Sequence, residues 1–229
     1  NGAMNVAQRG TTYTGANAYT TVDMFAIKHS GLNEDCTTAQ VDVSSGTTPY
    51  SLGFRKAYKL TNGNQSAGAG SADLLQIRYR IEAQDMANSG WNYTSSSSFI
   101  TLSFWVKTSV AQTYYVRIYT GDTPSQAYTF GYALSANTWT KIVHKIPGHG
   151  NIVFDDDNGI GMIIRWYQYR GTDYTDNSVT LNQWRSHNSS QNTPDQTTTW
   201  YTTNDATWEI TGVQLEAGDE ATNFEHRSF

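Results

Sequence analysis

The sequence contains a single cysteine, Cys36, among its 229 residues. One thiol cannot form an internal disulfide, and it excludes the zinc sites that are built from several cysteines. No run of about 18 apolar residues is present, so the sequence predicts no membrane-spanning helix. Only 15% of the residues are charged and the net charge is −5. This balance gives no electrostatic reason to expect nucleic acid or an anionic membrane as a partner.

Recognisable catalytic groups are also missing from the sequence. It has no G-x-S-x-G nucleophile motif and no phosphate-binding P-loop. Its five histidines are scattered, without the spacing of a metal site or a catalytic triad. Glycosidases need two carboxylates that flank the bond they cleave. Residues 155–157 are three adjacent aspartates in a predicted turn, and their mutual repulsion suits solvent better. We therefore expect that the chain is not an enzyme.

The abundant residues are those that favour β-sheets and turns. Aromatic residues make up 13% of the chain, with fifteen tyrosines and seven tryptophans. Apolar and polar residues alternate in short runs between turn clusters, and no run keeps a helical period for ten residues, although one helical turn fits 85–89. The sequence predicts an all-β, jelly-roll-like antiparallel β-sandwich that forms a single domain over 1–229. The predicted strands are 74–82, 100–107, 114–120, 128–134, 139–146, 161–170 and 208–215.

Each predicted strand has one face for the core. Between the two sheets we expect the following residues to be buried: Ile77, Ile81, Leu102, Phe104, Ile118, Ile164, Ile210 and Leu215. The polar stretch 171–205 is the least strand-like part of the chain, and it is long enough to contain a strand, which we place at 197–203. Rings in or beside the polar loops either contact a ligand or anchor their own loops, and for Trp91 anchoring is favoured. The other loop rings are Tyr93, Trp184, Trp200 and Tyr201.

The residues opposite the predicted core face form the main candidate site. At these positions an exposed sheet surface usually carries lysine and glutamate, which keep it soluble. This sequence has aromatic residues and arginines there instead. Rings stack on the apolar face of a pyranose, and guanidinium groups bind hydroxyls or carboxylates. Two alternatives stay open, an interface with another subunit and an ordinary sheet surface. If the strands are neighbours, the predicted ligand-binding residues are Arg78, Trp105, Tyr115, Arg117, Tyr119, Arg165, Tyr167 and Tyr169.

Five stretches of the chain carry a family resemblance, in the same order along nearly its whole length. They are 1–10 (NGAMNVAQRG), 77–91 (IRYRIEAQDMANSGW), 101–110 (TLSFWVKTSV), 158–166 (NGIGMIIRW) and 206–229 (ATWEITGVQLEAGDEATNFEHRSF). Together they resemble a domain of tail-fibre and other virion structural proteins of tailed phages, many of them marine. Relatives tend to show Asp-Arg-Trp where this chain has Asp23, Met24 and Phe25, so any role of that Arg–Trp pair is not carried over.

The resemblance implies a domain on the virion surface that binds a host-surface glycan or polysaccharide and contacts other virion subunits. It also implies a homo-oligomer, a trimer as in phage fibres, and a chain that is part of a longer virion protein. The rival hypotheses are a purely structural decoration or fibre protein and the carbohydrate-binding module of a polysaccharide-degrading enzyme. The strand pattern also resembles jelly-roll carbohydrate-binding modules. By analogy with those modules, a structural calcium would be held by Asp23, Gln214 and Glu216, although no cofactor is predicted.

Overall fold

The computed structural model describes residues 1–15 and 18–226. Within these residues the chain forms twelve strands, one 3-10 turn (Thr172–Tyr174) and three short α-helices, α1 (Thr48–Ser51), α2 (Ala83–Ala87) and α3 (Thr199–Thr202). The last three residues of the 206–229 motif lie outside the described residues. The strands are β1 (Thr12–Thr14), β2 (Phe25–Ser30), β3 (Thr37–Asp42), β4 (Lys56–Thr61), β5 (Leu74–Glu82), β6 (Phe99–Thr108), β7 (Gln112–Thr120), β8 (Gln126–Leu134), β9 (Thr140–Pro147), β10 (Ile160–Arg170), β11 (Trp184–Ser186) and β12 (Thr207–Ala217).

These strands form two six-stranded antiparallel sheets. Sheet I has the order β1-β3-β4-β12-β6-β9, and sheet II has the order β11-β8-β7-β10-β5-β2. The predicted jelly-roll-like antiparallel β-sandwich is therefore confirmed. None of the helices in the described part of the chain has the length and apolar character needed to span a membrane.

The core lies between the sheets and is rich in aromatic rings. Trp166 of β10 is fully buried, and it meets the ring of Phe104 from sheet I edge to face at 5.9 Å. Six of the eight residues predicted for the core are buried, which are Ile77, Leu102, Phe104, Ile118, Ile164 and Ile210. Ile81 and Leu215 are only half-buried, because they line a cleft of about 330 Å³ where the sheets separate.

The strand expected at 197–203 is wrong, because 199–202 is the short helix α3 and the hidden strand is β11. The reason lies in Trp200 and Tyr201, whose rings are both fully buried. Consecutive residues of a strand point to opposite faces, whereas a helical turn can direct both rings inward. The turn is fixed by hydrogen bonds, since the Trp200 backbone N–H donates to Gln112 Oε1 at 3.0 Å and its indole N–H donates to the Thr207 carbonyl.

The other loop tryptophans also anchor their loops. Trp91 is 3% exposed and packs beside Tyr93 and Phe154, as favoured from the sequence. The indole N–H of Trp184 donates to the carbonyl of Pro147 at 2.6 Å, and its ring lies 5.4 Å from that of Tyr128. These rings therefore serve the sandwich itself.

We predict that Phe104→Ala lowers the free energy of unfolding by about 3–5 kcal/mol, because it leaves a cavity beside Trp166. Urea unfolding followed by tryptophan fluorescence measures this change. Val143→Ala on neighbouring β9 is the control, since Val143 is 50% exposed and its loss should stay within about 0.5 kcal/mol. Equal effects of the two substitutions would contradict the assignment of the core.

Candidate functional site

Three arginines stand in line across the centre of sheet II. In the antiparallel register, Arg165 of β10 lies directly opposite Arg78 of β5 on one side and Arg117 of β7 on the other. Their strand neighbours, such as Ile77, Val116 and Ile164, point into the core. Alternation therefore directs all three arginines to the outer face of sheet II, with about 4.8 Å between adjacent strands. We call these residues the arginine row.

Two further rows flank the arginine row on the same outer face. On one side lie Arg80 of β5, Ile163 of β10 and Tyr119 of β7. On the other side the register aligns four residues from β2, β5, β10 and β7, which are Lys28, Gln76, Tyr167 and Tyr115. Of the predicted ligand-binding residues, the structure thus brings together Arg78, Tyr115, Arg117, Tyr119, Arg165 and Tyr167.

Trp105 does not belong to this face, which corrects the expectation that it joins the others. Its strand β6 is part of sheet I, between β12 and β9. The ring packs on the outer side of that sheet, against a small cluster that includes Phe54. Core-facing and outward residues alternate along β6 as predicted. However, β6 belongs to sheet I, and the prediction had placed it in the same sheet as the arginines.

Tyr169 is also turned away from the outer face. The register of β10 with β5 shifts between Tyr167 and Tyr169, so one extra residue reverses the alternation. Tyr169 consequently points into the core, where its ring stacks on that of Tyr201 with centroids 4.3 Å apart. The same bulge brings Arg170 to the outer face, where its guanidinium lies 3.5 Å from the centre of the Tyr174 ring.

The cations of this face have no carboxylate partners. None of the four ion pairs formed by the described residues contains an arginine. The one carboxylate at an outward position of β5, Glu82, is exposed and accepts a hydrogen bond from Gln84. Six of the nine arginines of this acidic protein gather here with one lysine. The seven cations are Lys28, Arg78, Arg80, Arg117, Arg165, Arg170 and Arg185.

Arg117 is the most deeply placed of these groups, with 0% of its surface exposed. Its Nη2 donates to Nδ1 of His187 at 2.6 Å, while its Nε and Nη1 have no partner among the described residues. Burial, together with the charge of Arg165, lowers the pKa of Arg117 to about 10. A charged group held in this way is costly unless something compensates it.

Neighbouring groups respond to the same positive field. Burial raises the pKa of the Tyr167 hydroxyl, but the charges of Arg165 and Arg117 outweigh burial and hold that pKa below its usual value. Lys28 has its pKa lowered by burial and by the arginines around it, Arg78 first among them. The face therefore carries a positive potential that the protein itself does not neutralise.

Two tyrosine rings lie among the arginines. The Tyr119 ring has the guanidinium carbons of Arg165 and Arg117 at 5.2 and 5.7 Å from its centre. The Tyr115 ring lies over Gly131 of β8, where a Cβ atom would stand 3.1 Å from Tyr115 Cε1. Because Gly131 has no side chain, the half-buried Tyr115 ring can approach β8 closely at this position. Tyr167, in contrast, is 1% exposed and cannot stack on a ligand without rearrangement.

The long segment 171–205 forms a wall at one side of the face. Thr129 Oγ1 on β8 donates to the Asn192 carbonyl at 2.9 Å, and Arg185 donates to the carbonyls of Gln191 and Asn192. His187 extends from this wall to Arg117 and Tyr119. His187, Arg170 and Arg185 were not predicted as site residues from the sequence. The outward position of Arg185 could have been predicted, because consecutive strand residues point to opposite faces and the ring of neighbouring Trp184 packs inward.

Several of the carboxylates considered from the sequence accept hydrogen bonds within the protein. Asp23 Oδ1 accepts from the Gln8 backbone, and both carboxylate oxygens of Glu216 accept from Thr222. The aspartates of 155–157 are exposed, and Asp157 accepts from the Gly159 backbone. In the described part of the chain, no three His, Cys, Asp or Glu side chains cluster in a way that could hold a metal ion.

Similar proteins were found among solved structures only at low identity. No protein-family model matches the sequence, and no curated protein sequence matches it. The domain of bacteriophage CBA120 tailspike protein 4 matches 89% of this chain at 11% identity and a TM-score of 0.48, and this chain covers 20% of that domain. The N-terminal cellulose-binding domain of Cellulomonas fimi β-1,4-glucanase C matches 94% of this chain and 100% of its own at 12% identity and a TM-score of 0.40. At these values the similarity extends to the fold alone.

We predict that His187 is neutral at pH 7 and reports the positive field of the face. Burial lowers its pKa to about 4, assisted by the charges of Arg117, Arg165 and Arg185. Removing one charge with Arg165→Gln should raise the pKa of His187, measured by NMR titration of its ring signals. Arg55→Gln is the matched control, since Arg55 lies beside Tyr50 and away from sheet II. An unchanged pKa in Arg165→Gln would show that the field does not reach His187.

Proposed function

We propose that the chain is a non-catalytic glycan-binding domain and that the outer face of sheet II is its binding surface. The observation that carries this proposal is the pair of rings on β7. Tyr115 and Tyr119 emerge on the same side of one strand, with Arg117 between them and Arg165 alongside. Strands hold such side chains in place more firmly than loops do, which reduces the entropy lost on binding.

Tyr115 supplies the stacking surface of the proposed site. Its ring packs close to β8 at Gly131 and is only half-buried, so part of the ring is open to solvent. A pyranose can lie on such a ring with its C–H groups, while the nearby half-exposed guanidinium of Arg165 donates to hydroxyl oxygens. The proposal rests on the side chains of this face.

We predict that Tyr115→Ala weakens glycan binding by about 1–2 kcal/mol, roughly five- to thirty-fold, because a rigid stacking ring is lost. A glycan array followed by calorimetry on the strongest ligand measures this change. The melting temperature should stay nearly constant, since Tyr115 lies opposite the core face. Trp105→Phe is the control, because Trp105 lies on sheet I and should leave affinity unchanged. Full affinity in Tyr115→Ala would exclude the ring from the site.

We also propose that the domain belongs to a phage virion, where it faces the host surface and adjoins other virion subunits. The support is the sequence resemblance in stretches such as 206–229. The main alternative is a purely structural virion protein whose tyrosine and arginine face is buried against a neighbouring subunit. The two differ in one property, which is whether Tyr115 and Arg165 are open to solvent in the native assembly.

We predict that the full-length protein is a homotrimer, as phage fibres generally are. Analytical ultracentrifugation at micromolar concentration should give three times the mass of one chain. The tyrosine and arginine face should remain accessible in that trimer, so a soluble glycan should bind it with the same affinity per chain. A stable monomer would contradict the trimer, and a trimer that binds no glycan would favour the structural alternative.

A further inference from the structure

The arginine row is unfavourable for the protein alone. Like charges directly opposite one another in adjacent strands destabilise a sheet, and here three occupy consecutive strands. Arg78 and Arg165 are half-buried and Arg117 is fully buried, so water screens their repulsion only in part. The described carboxylates form no ion pair with them. A bound anion would relieve the repulsion that the fold leaves in place.

The arginine row retains buried N–H donors that no other group of the described residues satisfies. Buried Arg117 retains Nε and Nη1 without partners, and Arg78 and Arg165 each retain an unpartnered Nε. No carboxylate of the wall formed by 171–205 makes an ion pair with them, and Asp176 and Asp195 accept hydrogen bonds from residues of the same wall. A ligand can reach the exposed parts of the Arg78 and Arg165 guanidinium groups, and such groups match carboxylate and sulfate oxygens geometrically.

From these observations we propose that the outer face of sheet II selects an acidic polysaccharide, whose carboxylate or sulfate groups are bound by the half-buried Arg78 and Arg165, while the buried Arg117 adds its positive charge from within the sheet. This inference rests on the proposed glycan-binding function and adds the chemical class of the ligand. Neutral hydroxyls could accept the same hydrogen bonds, but they would leave the repulsion between the arginines uncompensated. Lys28, Arg80 and Arg170 flank the row, so the cationic surface extends to both sides of it. A polysaccharide with a charge on each of several successive sugars matches the width of this surface better than a ligand with one charged sugar does.

Matched ligand pairs test the proposal. Oligogalacturonate and its methyl ester share one backbone, and so do dextran sulfate and dextran. The intact protein should bind at least one charged member about tenfold or more tightly than its neutral counterpart. Its affinity should fall steeply between low and high salt, because screening weakens charge–charge contacts. The first pair reports on carboxylate recognition and the second on sulfate recognition.

Variants of the row separate recognition from general charge. Arg165→Gln should weaken binding of the charged glycan about tenfold or more. Without ligand it should melt no lower than the unsubstituted protein, because one repulsive neighbour of Arg78 and Arg117 has been removed. Arg78→Gln serves as a second variant if Arg165→Gln does not fold. Arg55→Gln changes the net charge equally but lies beside Tyr50 near sheet I, so its affinity should be unchanged.

The outcomes distinguish this inference from the function on which it rests. Equal binding of charged and neutral partners, with no effect of Arg165→Gln, would overturn acidic selectivity and leave glycan binding intact. Absence of binding to every glycan on a broad array would overturn both. An equally tight complex with a single-stranded oligonucleotide of the same charge would also overturn it, since the face would then recognise charge without the sugar.

Discussion

Side-chain alternation in sheet II is the constraint on which the rest of the molecule depends. One face of β5, β10 and β7 must supply the aromatic core around Trp166, so whatever alternates with that core is fixed on the other face. The register then sets Arg78, Arg165 and Arg117 side by side. A shift of one residue in any of these strands would exchange core and surface together. The packing of the core therefore determines the geometry of the candidate site.

The segment 171–205 changes the environment of that site. Its anchors at Trp200 and Trp184 hold it against the sandwich, and its contacts with Thr129 bring it over one end of the outer face. Its His187 contacts Arg117, which is fully buried. A lower local dielectric makes an unpaired charge more costly and, equally, makes its interaction with a bound anion stronger. The neutral His187 accepts one Arg117 hydrogen bond without compensating its charge.

Strand existence and core residues could be predicted from the sequence, whereas strand partners could not. The predicted strand 74–82 has the bounds of β5, because its apolar and charged residues alternate strictly. Strands β1 to β4 escaped prediction, since β3 is mostly polar and β2 is buried on nearly every residue. Trp105 was grouped with the arginines because period-two patterns specify a face and leave the sheet unspecified. The bulge before Tyr169 inserts one residue and has no signature in composition, so Tyr169 and Arg170 exchanged places.

The same reasoning explains why the role of an outward tyrosine is harder to predict from the sequence than that of an outward arginine. A tyrosine at an outward position can lie flat, stand or be covered, and its neighbours decide which: Tyr115 packs close to Gly131, whereas Tyr167 is covered. An arginine at such a position keeps its charge whatever covers it, because its pKa stays far above neutral even for Arg117, at about 10. The positive charge of this face can therefore be predicted from the sequence even when the strand register and the burial of single residues are predicted wrongly. It is also the property that the fold leaves uncompensated, and a ligand of opposite sign would supply what the protein lacks.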